Sequence, residues 1–293
     1  MRGYLWILAA AVMWGTLGPV ARLAFAEGLA PLEVAFWRAV LAWGCFVLHA
    51  LATRRLTVAL GDMPMITLFA LTGVSLFYSS YQLAVQQGGA ALAAVLLYTA
   101  PAWVAAMSKA FFKERMGALK LCALLATLVG VATIAASGGS SFQATPLALV
   151  YGLLAGFSYS LYYILGKYFQ GRYSAPNLFI YILPIGAAGL WPWVHFGPKT
   201  AVAWLCLVSL AVLSTYGAYY CYYTGLKYLE PTRAAIAATL EPVIAALVAF
   251  FWWGEYFSWQ GYVGSALILG SVLVMVVDGK RKSIDERVIG SEE

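Results

Sequence analysis

Apolar runs of about 20 residues recur from one end of this chain to the other, and a helix of that length crosses the hydrocarbon core of a membrane. Hydrophobic residues make up 63% of the 293 residues and charged residues only 10%, well below the charged fraction of a soluble domain. Because lipid offers no hydrogen-bond partner to the backbone, each run must satisfy its own backbone groups as a helix. The sequence therefore predicts an all-α membrane protein.

Hydropathy and Gly/Pro punctuation predict ten transmembrane helices. Their ranges are roughly 4–26, 31–52, 64–86, 90–112, 117–136, 146–168, 175–195, 201–226, 231–253 and 259–277. They fall into two repeats, 1–136 and 146–277, joined by a linker at 137–145 and followed by a polar cytoplasmic tail at 278–293. The first run has no small-residue cleavage site after it, so we expect a retained span rather than a signal peptide.

The segment at 94–114 recurs without a gap at 235–255. Pro101 matches Pro242 and Glu114 matches Glu255, both at a separation of 141 residues. Each half has five predicted spans, an odd number, so the second copy is expected to lie upside down relative to the first. Inverted repeats of this kind are typical of secondary transporters, which expose a midplane site to alternate sides of the membrane.

Basic residues predict the orientation. With a cytoplasmic amino terminus, 15 of the 16 Lys and Arg residues in loops and at helix ends fall on the cytoplasmic side and only Lys199 on the other. This bias follows the positive-inside rule and predicts that both termini are cytoplasmic. The net charge of +6 is scattered over these short loops rather than gathered in one stripe, which argues against a nucleic-acid partner.

Glu241 is the first candidate site residue, since it lies near the middle of the ninth run beside Pro242. A carboxylate at the centre of a membrane helix costs about 2.5 to 3.5 kcal/mol, so it should face a cavity or a partner and its neutral form is favoured. It could carry a proton or balance a cationic group of a substrate. A structural hydrogen bond to a neighbouring helix is the alternative.

Arg38 is the second candidate, because it lies too deep in the second run to reach water except by snorkelling. It could bind a substrate carboxylate, or it could pair with Glu33 or another acidic neighbour and hold helices together.

Polar aromatic residues are the third group. Tyr78/Tyr81, Tyr159/Tyr162 and Tyr216/Tyr219 are each spaced by three residues, which places both members of a pair on one helical face. Tyrosine hydroxyls at this depth need partners that lipid cannot supply, so they are expected to line a cavity or to pack between helices. The complete set of predicted substrate-binding residues is Trp14, Arg38, Tyr78, Tyr81, Gln82, Tyr98, Tyr159, Tyr162, Tyr216, Tyr219 and Glu241.

The repeated segments, APAWVAAM with FFKER at 100–115 and LEPVIAAL with FFWWGE at 240–255, resemble the paired EamA-type domains of the drug/metabolite transporter superfamily. Trp14-Gly15 and Phe36-Trp37-Arg38 match the same pattern. The resemblance implies a ten-helix, inverted-repeat carrier of the inner membrane with a central cavity. It also implies a substrate among amino acids, other metabolites or organic cations, commonly moved outward. Lys109 and the tyrosine-rich eighth helix depart from the family pattern.

Three functional hypotheses follow for a small-molecule carrier. The first is an exporter of small amphipathic metabolites such as amino acids, with protons as a candidate coupling ion. The alternatives are a multidrug or quaternary-cation transporter and a choline-like nutrient uptake carrier. The protein is expected to act as a monomer or a weak homodimer.

An enzyme is disfavoured, because the two histidines lie near span ends and the sequence has no GxSxG elbow or paired-carboxylate motif. The four cysteines lie inside apolar runs without paired spacing, which predicts neither disulfides nor a metal site. No cofactor is expected, and the sequence contains no phosphate-binding loop of the ATPase type.

Overall fold

The protein is all helical in the described part of the chain. A computed structural model describes residues 2–137, 145–254 and 258–289. Its helices are α1 (Arg2–Gly15), α2 (Leu17–Ala26), α3 (Pro31–Ala52), α4 (Met63–Ala70), α5 (Phe77–Leu97), α6 (Ala100–Phe112), α7 (Ala118–Ser137), α8 (Pro146–Phe169), α9 (Ala175–Leu190), α10 (Ala201–Ser209), α11 (Ala218–Leu226), α12 (Pro231–Ala238), α13 (Glu241–Trp253) and α14 (Trp259–Ile289). Two π-helical segments, Leu71–Leu76 and Leu210–Gly217, join α4 to α5 and α10 to α11.

Within these residues nine helical stretches are long and apolar enough to cross a membrane, and α7 contains a tenth, shorter one at Ala118–Ile134. The predicted all-α fold with ten spans is confirmed. Proline marks several of the starts, as at Pro31, Pro146 and Pro231. Its fixed φ and missing N–H suit the first helical position, where the N–H would have no helical partner.

The third and fourth candidate spans, Leu60–Val85 and Leu92–Phe112, are joined at residues 86–91, and both of them contact α8. Phe77 stacks on Tyr159 of α8 with ring centroids 5.2 Å apart, and further along the carbonyl of Gln87 accepts a hydrogen bond from Thr145 at 3.4 Å. A side chain on Gly152 would then run into Leu96. Residues 77, 87 and 96 therefore contact the chain at residues 159, 145 and 152 in turn. The third and fourth spans are thus antiparallel.

Both halves carry interruptions at equivalent positions, where the sequence predicted unbroken spans. One break separates α5 from α6 at Tyr98 and the other separates α12 from α13 at Thr239, again 141 residues apart. Pro101 and Pro242 follow these breaks, and proline lacks the N–H that would continue the preceding helix. The π-helical segments are also equivalent, because the first, shifted by 141 residues, falls on 212–217 of the second. A further interruption, at Thr16, separates α1 from α2.

Two predicted features lie partly outside the described residues. Of the predicted linker at 137–145, residues 138–144 are not described, and Glu255 of the repeated segment also lies outside. The predicted polar tail begins as helix, since α14 continues past Asp278 to Ile289.

The halves meet through close helix contacts. A Cβ on Gly130 of α7 would lie 2.8 Å from the carbonyl oxygen of Gly264 on α14, so only glycine permits this approach. The Thr127 and Ser271 hydroxyls share a hydrogen bond of 2.7 Å across the same pair of helices. Interfaces built from small residues with bridging hydroxyls are typical of helices packed in membranes.

Candidate functional site

A cavity of about 330 Å³ lies inside the bundle, between helices of both halves. Its walls come from α1, α2, α3, α5, α8, α11 and α13. Nine of the eleven predicted site residues line it: Trp14, Arg38, Tyr78, Tyr81, Gln82, Tyr98, Tyr159, Tyr219 and Glu241. The predicted set therefore contains residues that share one cavity although they lie as much as 227 positions apart in the chain, as Trp14 and Glu241 do. Small-molecule pockets in proteins begin at about 300 Å³, so this cavity suits a small ligand.

Arg38 is a buried cation without an acidic partner in the described part of the chain. Only 7% of its surface is exposed, and it donates a hydrogen bond to the Tyr78 hydroxyl. Its guanidinium carbon lies 4.7 Å from the centroid of the Tyr78 ring, a cation–π contact. The Nε atom is buried and has no hydrogen-bond partner there. A positive charge held in this way favours an anionic group in the cavity.

Glu33, one alternative partner that the sequence offered to Arg38, is bound elsewhere. Its carboxylate lies 2.6 Å from the Lys199 amine and accepts a hydrogen bond from the Gly197 backbone N–H at 3.3 Å. Both side chains are at least nine-tenths buried. The lysine amine also lies 5.3 Å from the Trp37 ring centroid, so the pair is enclosed by aromatic surface. The Arg38–Glu33 pairing is therefore wrong, and Lys199 anchors the start of α3.

A chain of hydroxyls leads from Arg38 across the centre of the molecule. The Tyr78 and Tyr219 hydroxyls are 3.2 Å apart, and Tyr219 donates to the Tyr162 hydroxyl at 3.1 Å. Because Tyr78 accepts from Arg38, its own proton is free to bond Tyr219. Tyr162 is buried behind Tyr219 and does not line the cavity. This predicted site residue supports the wall.

The two central tyrosines occupy equivalent positions of the repeat, separated by 141 residues. The equivalent of Arg38 is Phe179, whose ring stacks on Tyr219 with centroids 5.1 Å apart at 28°. In one half a guanidinium lies over the tyrosine ring, and in the other half a phenyl group does. The charge at this position is thus present in only one copy.

Tyr216 lies outside the cavity. Its hydroxyl shares a hydrogen bond of 2.8 Å with Nδ1 of His49, and its ring packs edge-on against Phe46. The prediction assumed α-helical spacing between Tyr216 and Tyr219, but Tyr216 belongs to the second π-helical segment. The wider π-helical turn rotates it off the shared face.

Glu241 is the first residue of α13 and faces the cavity beside the helix break. Its carboxyl interacts with the Tyr98 hydroxyl, and Arg38 is the cation that acts on it electrostatically. No salt bridge to Glu241 is present among the described residues. The cavity thus holds one acidic and one basic side chain, neither paired to another ion, with phenol groups around both.

Phe77 is a lining residue that the sequence reasoning missed. Its ring stacks on Tyr78 and on Tyr159, with centroids 5.2 Å away in both cases. Consecutive residues of an ideal helix do not share a face, so spacing offered no signal. The π-helical segment that ends at Leu76, immediately before Phe77, could not be read from the sequence.

A network of ion pairs lies at the opposite end of the bundle from the α2–α3 connection, and all its members except the half-exposed Glu230 are buried. Lys120 bonds Glu114 at 2.7 Å and Glu230 at 2.6 Å, and Arg233 bonds Glu230 at 2.8 Å. Thr232 donates to Glu114 at 3.0 Å. Burial raises the pKa of Glu230, but hydrogen bonds from Lys120 and Arg233 outweigh it and hold the pKa below its ordinary value of 4.5. The network links α6 and α7 of the first half to α12 of the second.

Metal ligands are not clustered in the described residues, where no group of three or more His, Cys, Asp or Glu side chains could hold an ion. Cys45, Cys122, Cys206 and Cys221 are all unpaired.

Comparison with known proteins identifies the family. The model of the EamA-like transporter family matches residues 1–136 and 146–277. The chain belongs to the EamA-like transporter family. It is 31% identical to a protein of Archaeoglobus fulgidus described as an uncharacterized transporter, over 67% of this chain and 70% of the relative. It is 27% identical to a probable terminal-alkyne amino-acid exporter of Streptantibioticus cattleyicolor, over 73% of each chain. A crystal structure at 18% identity superposes with a TM-score of 0.83, covering 95% of this chain and 98% of that one, which confirms the fold.

The protein is therefore a multi-span membrane transporter, and the resemblance drawn from the repeated segments is confirmed. Membership in a transporter family implies a small-molecule substrate and a lipid bilayer around the helices.

Proposed function

We propose that this transporter exports a small amphipathic zwitterion such as an amino acid. The observation that carries the proposal is the pair of opposite charges in one cavity, Arg38 and Glu241, neither of which has an ionic partner of its own in the described residues. Arg38 would bind the carboxylate and Glu241 the ammonium group. Planar guanidinium groups are well suited to carboxylates, and buried carboxylates to cations. The amino-acid exporter of S. cattleyicolor supports the same substrate class.

The aromatic walls would hold the apolar part of the substrate. Trp14 contacts Tyr219 and Tyr222 with ring centroids 6.0 and 5.7 Å apart, so its ring is fixed by packing. Phe77 and Tyr159 form a stacked pair across from it. Rigid aromatic surfaces add binding energy with little loss of side-chain entropy. A cavity of about 330 Å³ with such walls fits a single amino acid better than a large drug.

We further propose that transport proceeds by alternating access through a 5+5 inverted repeat. Equivalent helix breaks and π-helical segments in both halves support it. The ionic network of Lys120, Glu230 and Arg233 would be the closed gate on the cytoplasmic side, with both termini on that side of the inner membrane. The basic residues of the loops support this orientation. Glu241 would accept a proton in the step that releases substrate, which would couple export to protons.

A quaternary-cation carrier is the second candidate. Tyr81 and Tyr98 line the cavity near Glu241, and tyrosine faces attract cations by about 0.5 to 2 kcal/mol each. In that case Arg38 would have no role in binding.

Binding by the purified protein separates the two candidates. The ligands are leucine, its amide without the carboxylate, 4-methylpentanoate without the amine, and tetraethylammonium. The proposal predicts that leucine binds best, and that Arg38→Gln weakens leucine binding about 10- to 100-fold, the worth of a charged hydrogen bond, without affecting the amide. Tyr216→Phe, which changes a tyrosine outside the cavity, serves as the control and should bind like the wild type. Preference of the wild type for tetraethylammonium or for the amide would refute the zwitterion site.

A further inference from the structure

A second pocket, of about 630 Å³, lies where α3 ends, α9 begins and α11 ends. It shares no lining residue with the central cavity. The described residues that form its wall include three basic side chains, Arg55, Arg172 and Lys227, together with His49, and no carboxylate. The central cavity and its transport role do not account for this pocket.

Two of these cations are not neutralised by a described carboxylate, although the Lys227 amine lies 5.9 Å from the centroid of the Tyr228 ring. Arg172 is paired with Asp62 at 2.8 Å, and Asp62 is not a lining residue. Arg55 and Lys227 have no ion pair within the described ranges 2–137, 145–254 and 258–289. The Ser174 hydroxyl, at the amino end of α9, is also buried there without a hydrogen-bond partner and makes no capping bond. Uncapped backbone N–H groups of α9 therefore add donors to the same wall.

The rim of the pocket is fixed by hydrogen bonds. Asn177 donates to the Thr57 carbonyl at 2.9 Å and Tyr181 donates to the Leu56 carbonyl at 2.8 Å, which ties the loop after α3 to α9. Gln170 donates to the Tyr223 carbonyl at 2.6 Å and ties the loop before α9 to α11. The loops that carry Arg55 and Arg172 are therefore held to the helices by hydrogen bonds.

The depth of the pocket indicates what enters it. Candidate spans end at Ala52 and Leu226 and begin at Ala175 beside the pocket, and the ends of membrane spans lie close to the lipid headgroups. Two leucines near the end of α3, the helix that carries the lining residue His49, have large exposed surfaces, 70% for Leu48 and 52% for Leu51. A ligand with a phosphate group and acyl chains matches both surfaces. Basic pockets between spans on the cytoplasmic side bind anionic headgroups in other membrane proteins.

We propose that this pocket binds the phosphate group of an anionic phospholipid. Arg55 and Lys227 contact the phosphate, Ser174 and the amino end of α9 donate hydrogen bonds, and the acyl chains lie along the outer face of α3. Such a lipid would brace α3, α9 and α11 against one another.

The test titrates full-length protein in a neutral detergent with short-chain probes by microscale thermophoresis. Dihexanoyl phosphatidylglycerol is compared with dihexanoyl phosphatidylcholine, whose headgroup has no net charge, and with inorganic phosphate. The double variant Arg55→Gln/Lys227→Gln should bind phosphatidylglycerol about 30-fold more weakly, at about 1 kcal/mol for each cation and 1.4 kcal/mol for each tenfold change. Lys227→Arg should retain binding, which guards against a folding defect.

Lys113→Asn/Arg115→Gln removes two cations from another loop on the same side and should bind like the wild type; Asn tolerates the left-handed φ of 54° at position 113. Equal weakening in both double variants would mean that diffuse surface charge attracts the lipid, and the proposal would fail. Inorganic phosphate binding as tightly as phosphatidylglycerol would overturn the lipid assignment in favour of a free anion. Neither outcome bears on the Arg38–Glu241 cavity, whose ligands are tested separately.

Discussion

Replacing Arg38 with methionine should stabilise the protein while abolishing substrate binding. Among the described residues, the buried guanidinium has one hydrogen bond, to Tyr78, and its Nε atom has no partner. Methionine has a similar volume and needs no polar contact. The matched change is Lys199→Met, which removes an equally buried cation that is paired with Glu33 at 2.6 Å. The two substitutions differ because Lys199→Met leaves the buried Glu33 carboxylate without its ionic partner, whereas no described carboxylate forms a salt bridge with Arg38.

The expected magnitudes have opposite signs. Arg38→Met loses a charged hydrogen bond worth about 1.5 to 3 kcal/mol and a cation–π contact worth about 0.5 to 2 kcal/mol. It also removes the desolvation cost of an ion, several kcal/mol, and exchanges of buried ions for apolar residues are often neutral or stabilising by about 1 to 4 kcal/mol. Lys199→Met strands Glu33, and breaking a buried pair in this way costs about 3 to 5 kcal/mol.

Thermal unfolding in one detergent, followed by tryptophan fluorescence, compares the two variants with the wild type. Each kcal/mol of unfolding free energy shifts the Tm by about 2 to 4 °C. The Tm of Arg38→Met should therefore match or exceed that of the wild type, and the Tm of Lys199→Met should be lower by about 6 °C or more. Leucine should raise the Tm of the wild type and leave that of Arg38→Met unchanged. If Arg38→Met were destabilised as strongly as Lys199→Met, Arg38 would be a structural residue and the reasoning would be refuted.

Three further predictions concern other parts of the protein. Glu241→Gln should fold normally and lose the pH dependence of substrate binding, measured by titrations between pH 5 and 8; unchanged dependence would rule out this carboxyl as the proton acceptor. Gly156→Ala should lower stability by about 1 to 3 kcal/mol, because its Cβ would lie 2.5 Å from the Leu96 carbonyl oxygen, whereas Gly18→Ala enters open space and should unfold like the wild type. The depressed pKa of Glu230 predicts stability that is complete above pH 4.5 and is lost as pH falls below it. Glu230→Gln should flatten this part of the stability profile, and a profile identical to the wild type would contradict the proposed gate network.

Much of the fold followed from elementary physical chemistry. Length and apolarity of the runs fix helices that cross a membrane, and the matching prolines Pro101 and Pro242 reveal the duplication. Part of the candidate site could also be predicted from the sequence, because a charged or hydroxyl side chain in the middle of a span needs a cavity or a partner. Of the nine predicted residues that line the cavity, seven carry a charge or a hydroxyl group.

The remainder depends on features that the sequence does not express locally. The second π-helical segment changes which residues share a face, and Tyr216, which belongs to it, lies outside the cavity. The ionic partner of Glu33 could not be predicted either, because Lys199 lies in a loop far along the chain from it. Periodicity within one helix carries no information about either effect.

Flux through purified protein in liposomes tests the central claim most directly. Vesicles loaded with leucine or with tetraethylammonium are followed with and without an imposed pH gradient, for the wild type, Arg38→Gln and Glu241→Gln. We expect leucine flux that the gradient accelerates in the wild type, leucine flux at low concentration reduced about 10- to 100-fold with Arg38→Gln, and flux insensitive to the gradient or abolished with Glu241→Gln. Leucine flux at the wild-type rate in Arg38→Gln, or flux of tetraethylammonium alone, would contradict transport of a zwitterion bound by Arg38 and Glu241.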